Sequence, residues 1–170
     1  MSSEIESRAT RVYTIMSFIA GVVIIIQFFF QFIYFTFNPN LYIFGIGWCS
    51  LVIGFWFVVT SLATLRRNGG LSATASISKT NSLVTTGFYS ITRNPIYIGI
   101  GLFSFGLALT TQHILSIFLT IYLIPFLVGL TFVEETLNKT KFGDEYQNYL
   151  CCVPRFNLFL VLLHRRKEND

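Results

Sequence analysis

Two polar stretches interrupt an otherwise apolar chain in a way that could serve chemistry. The first is Leu83–Tyr97, which reads Leu-Val-Thr-Thr-Gly-Phe-Tyr-Ser-Ile-Thr-Arg-Asn-Pro-Ile-Tyr. Gly87 can take positive φ, and Pro95 suits the first turn of a helix, where a missing N–H costs nothing. Asn94 stands at the N-cap position, where its side-chain oxygen can accept from a free N–H one turn in. Arg93 is thereby held at the mouth of an apolar helix. The second stretch is Glu134-Glu135, two carboxylates where another long apolar run ends. A cation and paired anions meeting at a membrane surface define a candidate site. Acids at a helix C-terminus oppose the macrodipole, which argues for a functional pair over a solvated helix end.

The elements that must position these groups are membrane helices. The chain of 170 residues is 53% hydrophobic, 17% aromatic and 12% charged. Soluble domains carry about 25% charged residues, so this is an all-α integral membrane protein. The net charge of +4 is no nucleic-acid signal, because the basic residues flank apolar runs and form no recognition motif. Cys49 lies in an apolar run and reads as a packing residue. Cys151 and Cys152 are adjacent and juxtamembrane, with no spacing for a disulfide framework or a zinc site. His113 and His164 are isolated, so His-centred hydrolysis has no support. There is no Rossmann glycine fingerprint and no P-loop.

Val12–Phe37 is uncharged and, at about 39 Å as helix, long enough to span a roughly 30 Å core with tilt. Gln27 and Gln31 share one face of it and read as helix-contact residues. Asn38-Pro39-Asn40 forms a turn. Leu41–Leu65 is a second span, with Gly45, Gly47 and Gly54 allowing close helix approach. Arg66-Arg67 stops it, and the polar connector 68–86 leads into the Gly87–Pro95 turn. Pro95–Thr110 and Ile114–Val133 form a helical hairpin around Thr111-Gln112-His113, the second arm carrying Pro125. After Glu134, Leu137, Phe142, Tyr146 and Tyr149 recur among charges, predicting an amphipathic surface segment bent at Gly143. The apolar stretch 156–163 is too short to span.

Charge sets the orientation. Arg8 and Arg11 precede the first span, Arg66, Arg67, Lys79 and Arg93 follow the second, and Lys139, Lys141, Arg155, Arg165, Arg166 and Lys167 follow the fourth. These are all 12 basic residues, and neither intervening turn has any. The positive-inside rule therefore predicts a multi-pass protein of about four spans with termini and site cytoplasmic. That membrane would be the endoplasmic reticulum in a eukaryote, or the inner or plasma membrane in a prokaryote.

The same residues resemble the isoprenylcysteine carboxyl methyltransferase and phospholipid methyltransferase family. Its pattern is Leu-Val-x-x-Gly-x-Tyr, Arg-His-Pro-x-Tyr, a hairpin, Glu-Glu, then Phe-Gly-x-Glu-Tyr-x-x-Tyr. Here these are Leu83-Val84 with Gly87 and Tyr89, Arg93-Asn94-Pro95-Ile96-Tyr97, Glu134-Glu135, and Phe142-Gly143-Asp144-Glu145-Tyr146-Gln147-Asn148-Tyr149. The likeness covers residues 81–156 of a single membrane domain, residues 12–65 forming the first two spans. It implies S-adenosylmethionine as cofactor, contacted by Asn81, Ser82, Leu83, Val84, Tyr89, Asn94, Pro95, Ile96, Tyr97 and Glu134, with Glu135 behind them. Arg93 is the candidate catalytic residue, holding an anionic acceptor or carboxylate; its position equally suits an interface anchor. Two positions depart from the pattern. Asn94 replaces a histidine, as in the phospholipid N-methyltransferase branch, and Leu130 stands where carboxyl methyltransferases carry an arginine.

The resemblance implies methyl transfer at the membrane to a lipid or prenylated acceptor, in the manner of isoprenylcysteine carboxyl methyltransferase. The alternatives are a phospholipid amine N-methyltransferase and a non-catalytic scaffold of the same fold. A carboxylate at the depth of Glu134 needs a partner, either the cofactor or Arg93.

Overall fold

The computed structural model describes residues 2–33, 39–70 and 82–156. Among the described residues four helices follow in order: α1 (Ser2–Ile33), α2 (Leu41–Asn68), α3 (Pro95–Thr111) and α4 (Ile114–Cys152), with a 3-10 turn, Gly87–Ser90, before α3. Among the described residues α1, α2 and α4 are long and apolar enough to cross a membrane. The 17 residues of α3 measure about 26 Å, slightly less than a hydrocarbon core of roughly 30 Å. In lipid every backbone polar group needs an internal partner, and the helices supply it except where Pro125 inside α4 has no N–H to give.

The two hairpin turns lie together. Asn40 and Gln112 exchange hydrogen bonds, backbone N–H to side-chain oxygen and side-chain amide to backbone oxygen, each at 3.0 Å. Asn40 also caps α2 by accepting from the N–H groups of Tyr42 and Ile43. His113 caps α4, its Nδ1 accepting from the Leu115 N–H. Uncharged residues therefore gather at one end of the bundle. Arg66 and Arg67 in the last turn of α2 and Arg93 just before α3 lie toward the other end, where Glu134 and Glu135 of α4 meet Arg93.

α2 and α3 meet through glycine. A Cβ at Gly54 would lie 2.6 Å from the Phe103 N and 2.8 Å from the Gly99 O, and one at Gly106 would lie 2.8 Å from the Leu51 N. Backbones this close leave dispersion as the cohesive force, which suits lipid, where apolar burial alone gives no drive to associate. Ser50 adds a hydrogen bond to the Leu102 O at 2.8 Å. Gly45 takes no part, since nothing lies within 4 Å of a Cβ placed there.

α1, α3 and α4 share a second seam with a polar centre. Gln27, fully buried, donates to the Ser116 O and the Thr120 hydroxyl and accepts from Ser104. Gln31 accepts from Thr110 and Thr111. The helix-contact reading of both glutamines holds. Around them Tyr13, Ala20, Val23, Tyr97, Leu123, Leu127 and Leu130 form the main apolar cluster.

Three expectations need correction or a limit. The fourth helix does not stop at Val133; it continues to Cys152, leaving helical geometry only at Gly143 (φ 52°, ψ −124°). The reason is that Tyr146 and Tyr149 keep an apolar face buried against Leu83 and Val153 beyond the membrane run. Cys49 is exposed on α2 rather than packed. The stretch 157–163, most of the connector and part of the first turn lie outside the described residues.

Gly54→Ala should drive α2 from α3, because the clash is with backbone. Overpacking of this kind costs about 1–3 kcal/mol. The melting temperature in detergent should fall for Gly54→Ala and stay unchanged for Gly45→Ala. Equal melting of the two variants would contradict the seam.

Candidate functional site

The loop before α3 is built by the turn chemistry of its own residues. Gly87 adopts φ 64°, as its place in the sequence predicts, and Pro95 occupies the first helical position of α3. The loop is then clamped from α4 and the segment behind it. The Tyr149 hydroxyl donates to the Tyr89 O at 2.6 Å, the Thr92 hydroxyl to the Arg155 O at 2.7 Å, and the Arg93 N–H to the Pro154 O at 3.1 Å.

Beneath this clamp lies a three-residue ion cluster. Glu135 is 7% exposed and receives the Arg155 Nε and Nη2 at 2.7 and 2.6 Å, a bidentate pair. Arg93 reaches the same carboxylate through Nη1 at 3.2 Å. Arg155 also covers the Phe132 ring, 3.9 Å from its centroid. Its hydrogen bonds to Glu135 raise its pKa further, so it stays cationic.

Glu134 turns the other way. It accepts from the Tyr97 hydroxyl at 2.7 Å, and the Tyr13 hydroxyl of α1 lies 3.2 Å from that of Tyr97. The expected Arg93–Glu134 pair is replaced: Arg93 takes Glu135, and a phenol serves Glu134. Successive residues on a helix point about 100° apart, and here the two carboxylates take different partners.

Two voids meet at these groups. The larger, about 410 Å³, lies between α1, α3 and α4, with Tyr89, Arg93, Asn94, Pro95, Ile96, Tyr97, Leu130 and Glu134 on its walls. The smaller, about 40 Å³, is bordered by Ser82, Leu83, Val84, Asn138, Tyr146 and Tyr149. Tyr89, Arg93 and Glu134 belong to both. Burial, reinforced by the nearby Glu134 charge, pushes the Tyr89 phenol well above its ordinary pKa and keeps it neutral.

The structure thus brings together all the candidate residues it describes except Glu135, which is spent on the two arginines. Asn81 lies outside the described residues. Asn94 does not cap α3: it makes no side-chain cap hydrogen bond. Its φ of −128° and ψ of 54° hold the residue on the cavity wall instead, with Nδ2 buried and unpartnered. The Arg93 Nε is also buried without a partner. Two orphaned donors side by side are rare in a finished core and mark a place for an acceptor-rich ligand.

Sequence reasoning missed Tyr13 and Arg155. Tyr13 stands in an uncharged run with nothing to separate it from its apolar neighbours. Arg155 had only its charge as a signal, and charge alone assigned it to topology.

The phospholipid methyltransferase family model matches residues 41–145, which includes the loop, α3 and the part of α4 that carries Glu134 and Glu135. The chain belongs to the phospholipid methyltransferase family. It is therefore a membrane methyltransferase at the level of that family. No curated protein and no solved structure shows a significant match. Within this methyltransferase, α1 and the strap 153–156 lie outside the matched segment, yet they supply Tyr13 and Arg155.

Glu135→Gln should leave Arg93 and Arg155 facing each other without a counter-charge. Breaking a buried pair costs about 3–5 kcal/mol, and the partial exposure of Arg155 places this one at the lower end. Thermal melting should fall more for Glu135→Gln than for Arg155→Lys, which keeps the charge and loses only the fork. The reverse order would show that the cluster does not hold the loop.

Proposed function

We propose that this protein transfers a methyl group from S-adenosylmethionine to a lipid or lipidated acceptor at the membrane surface. The observation that carries the reading is the meeting of a polar cleft and an apolar cavity at Tyr89, Arg93 and Glu134. The residues fit the cofactor in kind. The orphaned donors of Arg93 and Asn94 suit a carboxylate, while Glu134 suits an ammonium or ribose hydroxyls. Ser82, Leu83, Val84, Asn94, Pro95, Ile96 and Tyr97 would complete the contacts, with Asn81 next in sequence.

The cofactor supplies an already activated methyl group on a sulfonium. What remains for the chain is alignment and exclusion of water, which can contribute up to roughly 7–11 kcal/mol. Leu127, Leu130 and Ile100 wall the cavity with hydrocarbon, while the Arg155–Glu135–Arg93 cluster fixes the loop that faces it. Arg93 holds the polar end of the acceptor or of the cofactor.

A phospholipid amine is the second reading, and Leu130 favours it over a carboxylate. That side chain is 1% exposed and stands in the cavity wall where a carboxylate-binding arginine would be needed. Glu134 gives the cavity an anion instead. An amine gives up a proton on methylation, and the Glu134 Oε2, next to the Tyr97 and Tyr13 hydroxyls, is placed to take it. The charged end of the bundle faces the cytoplasm on this reading, because the described basic residues lie at that end or beyond it.

Calorimetry on purified protein in detergent tests the cofactor assignment. S-adenosylmethionine should bind saturably, and Glu134→Gln should weaken it by about 1.5–3 kcal/mol, the range for charge-assisted hydrogen bonds. Asp144→Asn, on the far part of α4, should leave the affinity alone. Loss of affinity at Asp144 with none at Glu134 would put the site elsewhere.

A further inference from the structure

The larger cavity has a polar end and an apolar end. On α1 its wall begins at Tyr13, beside Tyr97 and Glu134, and ends at Ile24 and Ile25. Twelve residues of helix separate Tyr13 from Ile25, about 18 Å along the axis. The slot therefore starts at the charged surface and runs well into the span. Its volume of about 410 Å³ falls within the roughly 300–1,000 Å³ usual for ligand sites.

One position leaves the wall open. Gly21 borders the cavity, is exposed, and has nothing within 4 Å of a Cβ placed on it. Its neighbour Ala20 is small, and Ile25 at the apolar end is 67% exposed. The face of α1 that carries this gap belongs to a helix whose outward side chains, Phe18, Ile25 and Phe29 among them, are exposed apolar residues on a membrane span. The gap opens toward hydrocarbon, not toward water.

We propose that Gly21 is the side portal of this cavity and the residue that sets which acceptors enter. The occupant is the hydrocarbon chain of a membrane lipid, lying along α1 with its polar group at Arg93 and Glu134. A soluble ligand would not need an apolar slot of this depth open to lipid, and a second protein would need a flat or convex face, not a gap one glycine wide. The inference rests on the methyltransferase reading for the nature of the polar group, but the chain-binding slot stands apart from turnover. Gly21 acts as a specificity-determining residue in a helix that lies outside the segment matched to the family.

The test compares Gly21→Phe with Gly45→Phe. Both glycines have nothing within 4 Å of an added Cβ, so neither substitution clashes at its first carbon, and replacing glycine favours the helix. Only Gly21 borders the cavity. Each protein is reconstituted in vesicles of phosphatidylethanolamine and phosphatidylglycerol, taken into mild detergent, and examined by native mass spectrometry for retained lipid. The wild type and Gly45→Phe should retain one lipid. Gly21→Phe should lose it by about tenfold or more, the scale of discrimination when bulk is added to an apolar pocket. S-adenosylmethionine affinity should be unchanged, because Gly21 lies about 12 Å along α1 from Tyr13.

Retention of lipid by Gly21→Phe at the wild-type level would overturn the portal. So would a wild type that retains none, or equal loss in both variants. If the wild type bound no cofactor but lost its lipid only on Gly21→Phe, the slot would stand and the methyltransferase reading would fall.

Discussion

A carboxylate buried where helices leave the membrane must be paired, and Glu135 satisfies that constraint with two arginines. Its bidentate bond to Arg155 and its contact with Arg93 tie the middle of α4, the strap behind it and the loop before α3 into one body. The rest of the site follows from this. With Glu135 occupied, Glu134 is left for the cavity, where the Tyr97 hydroxyl holds it and Tyr13 lies against that hydroxyl. With Arg93 anchored at one nitrogen, its Nε and the adjacent Asn94 amide remain as unsatisfied donors. A site poised for a polar ligand is thus the by-product of a pin that holds the backbone.

The membrane explains why the bundle is assembled as it is. Apolar surface cannot drive helices together in lipid, so α2 and α3 associate through backbone contact at Gly54, Gly99 and Gly106, and α1 joins α4 through Gln27. The first seam is closed tightly along its length. The second is held at its glutamines and at Tyr13, and has open space at Gly21 beside the cavity between α1, α3 and α4. The proposed route for lipid to the polar groups lies along this second seam, beside the closely packed α2–α3 pair.

Much of this was legible in the sequence because spans announce themselves by length and lack of charge. Positive φ at Gly87, Pro95 at the start of α3 and the glutamine contacts followed from residue type and spacing alone. Pairing did not. Nothing in the order of residues says which of two adjacent glutamates turns to the cavity, and only the phase of α4 against α3 decides it. Asn94 looked like a cap because its sequence position is that of one, yet the backbone there departs from cap geometry and the side chain stays on the cavity wall. The charges at Lys139, Lys141 and Asp144 make Tyr146 and Tyr149 read as a separate surface segment, whereas their burial carries α4 on to Cys152.

Methyl transfer itself is the most direct test of the central claim. Membranes carrying the protein are supplied with S-adenosylmethionine labelled in the methyl group, and the products are separated into lipid and protein fractions. Label should accumulate in the lipid-extractable fraction and fall toward background with Glu134→Gln. Label no higher than in membranes lacking the protein, in both fractions, would contradict the account.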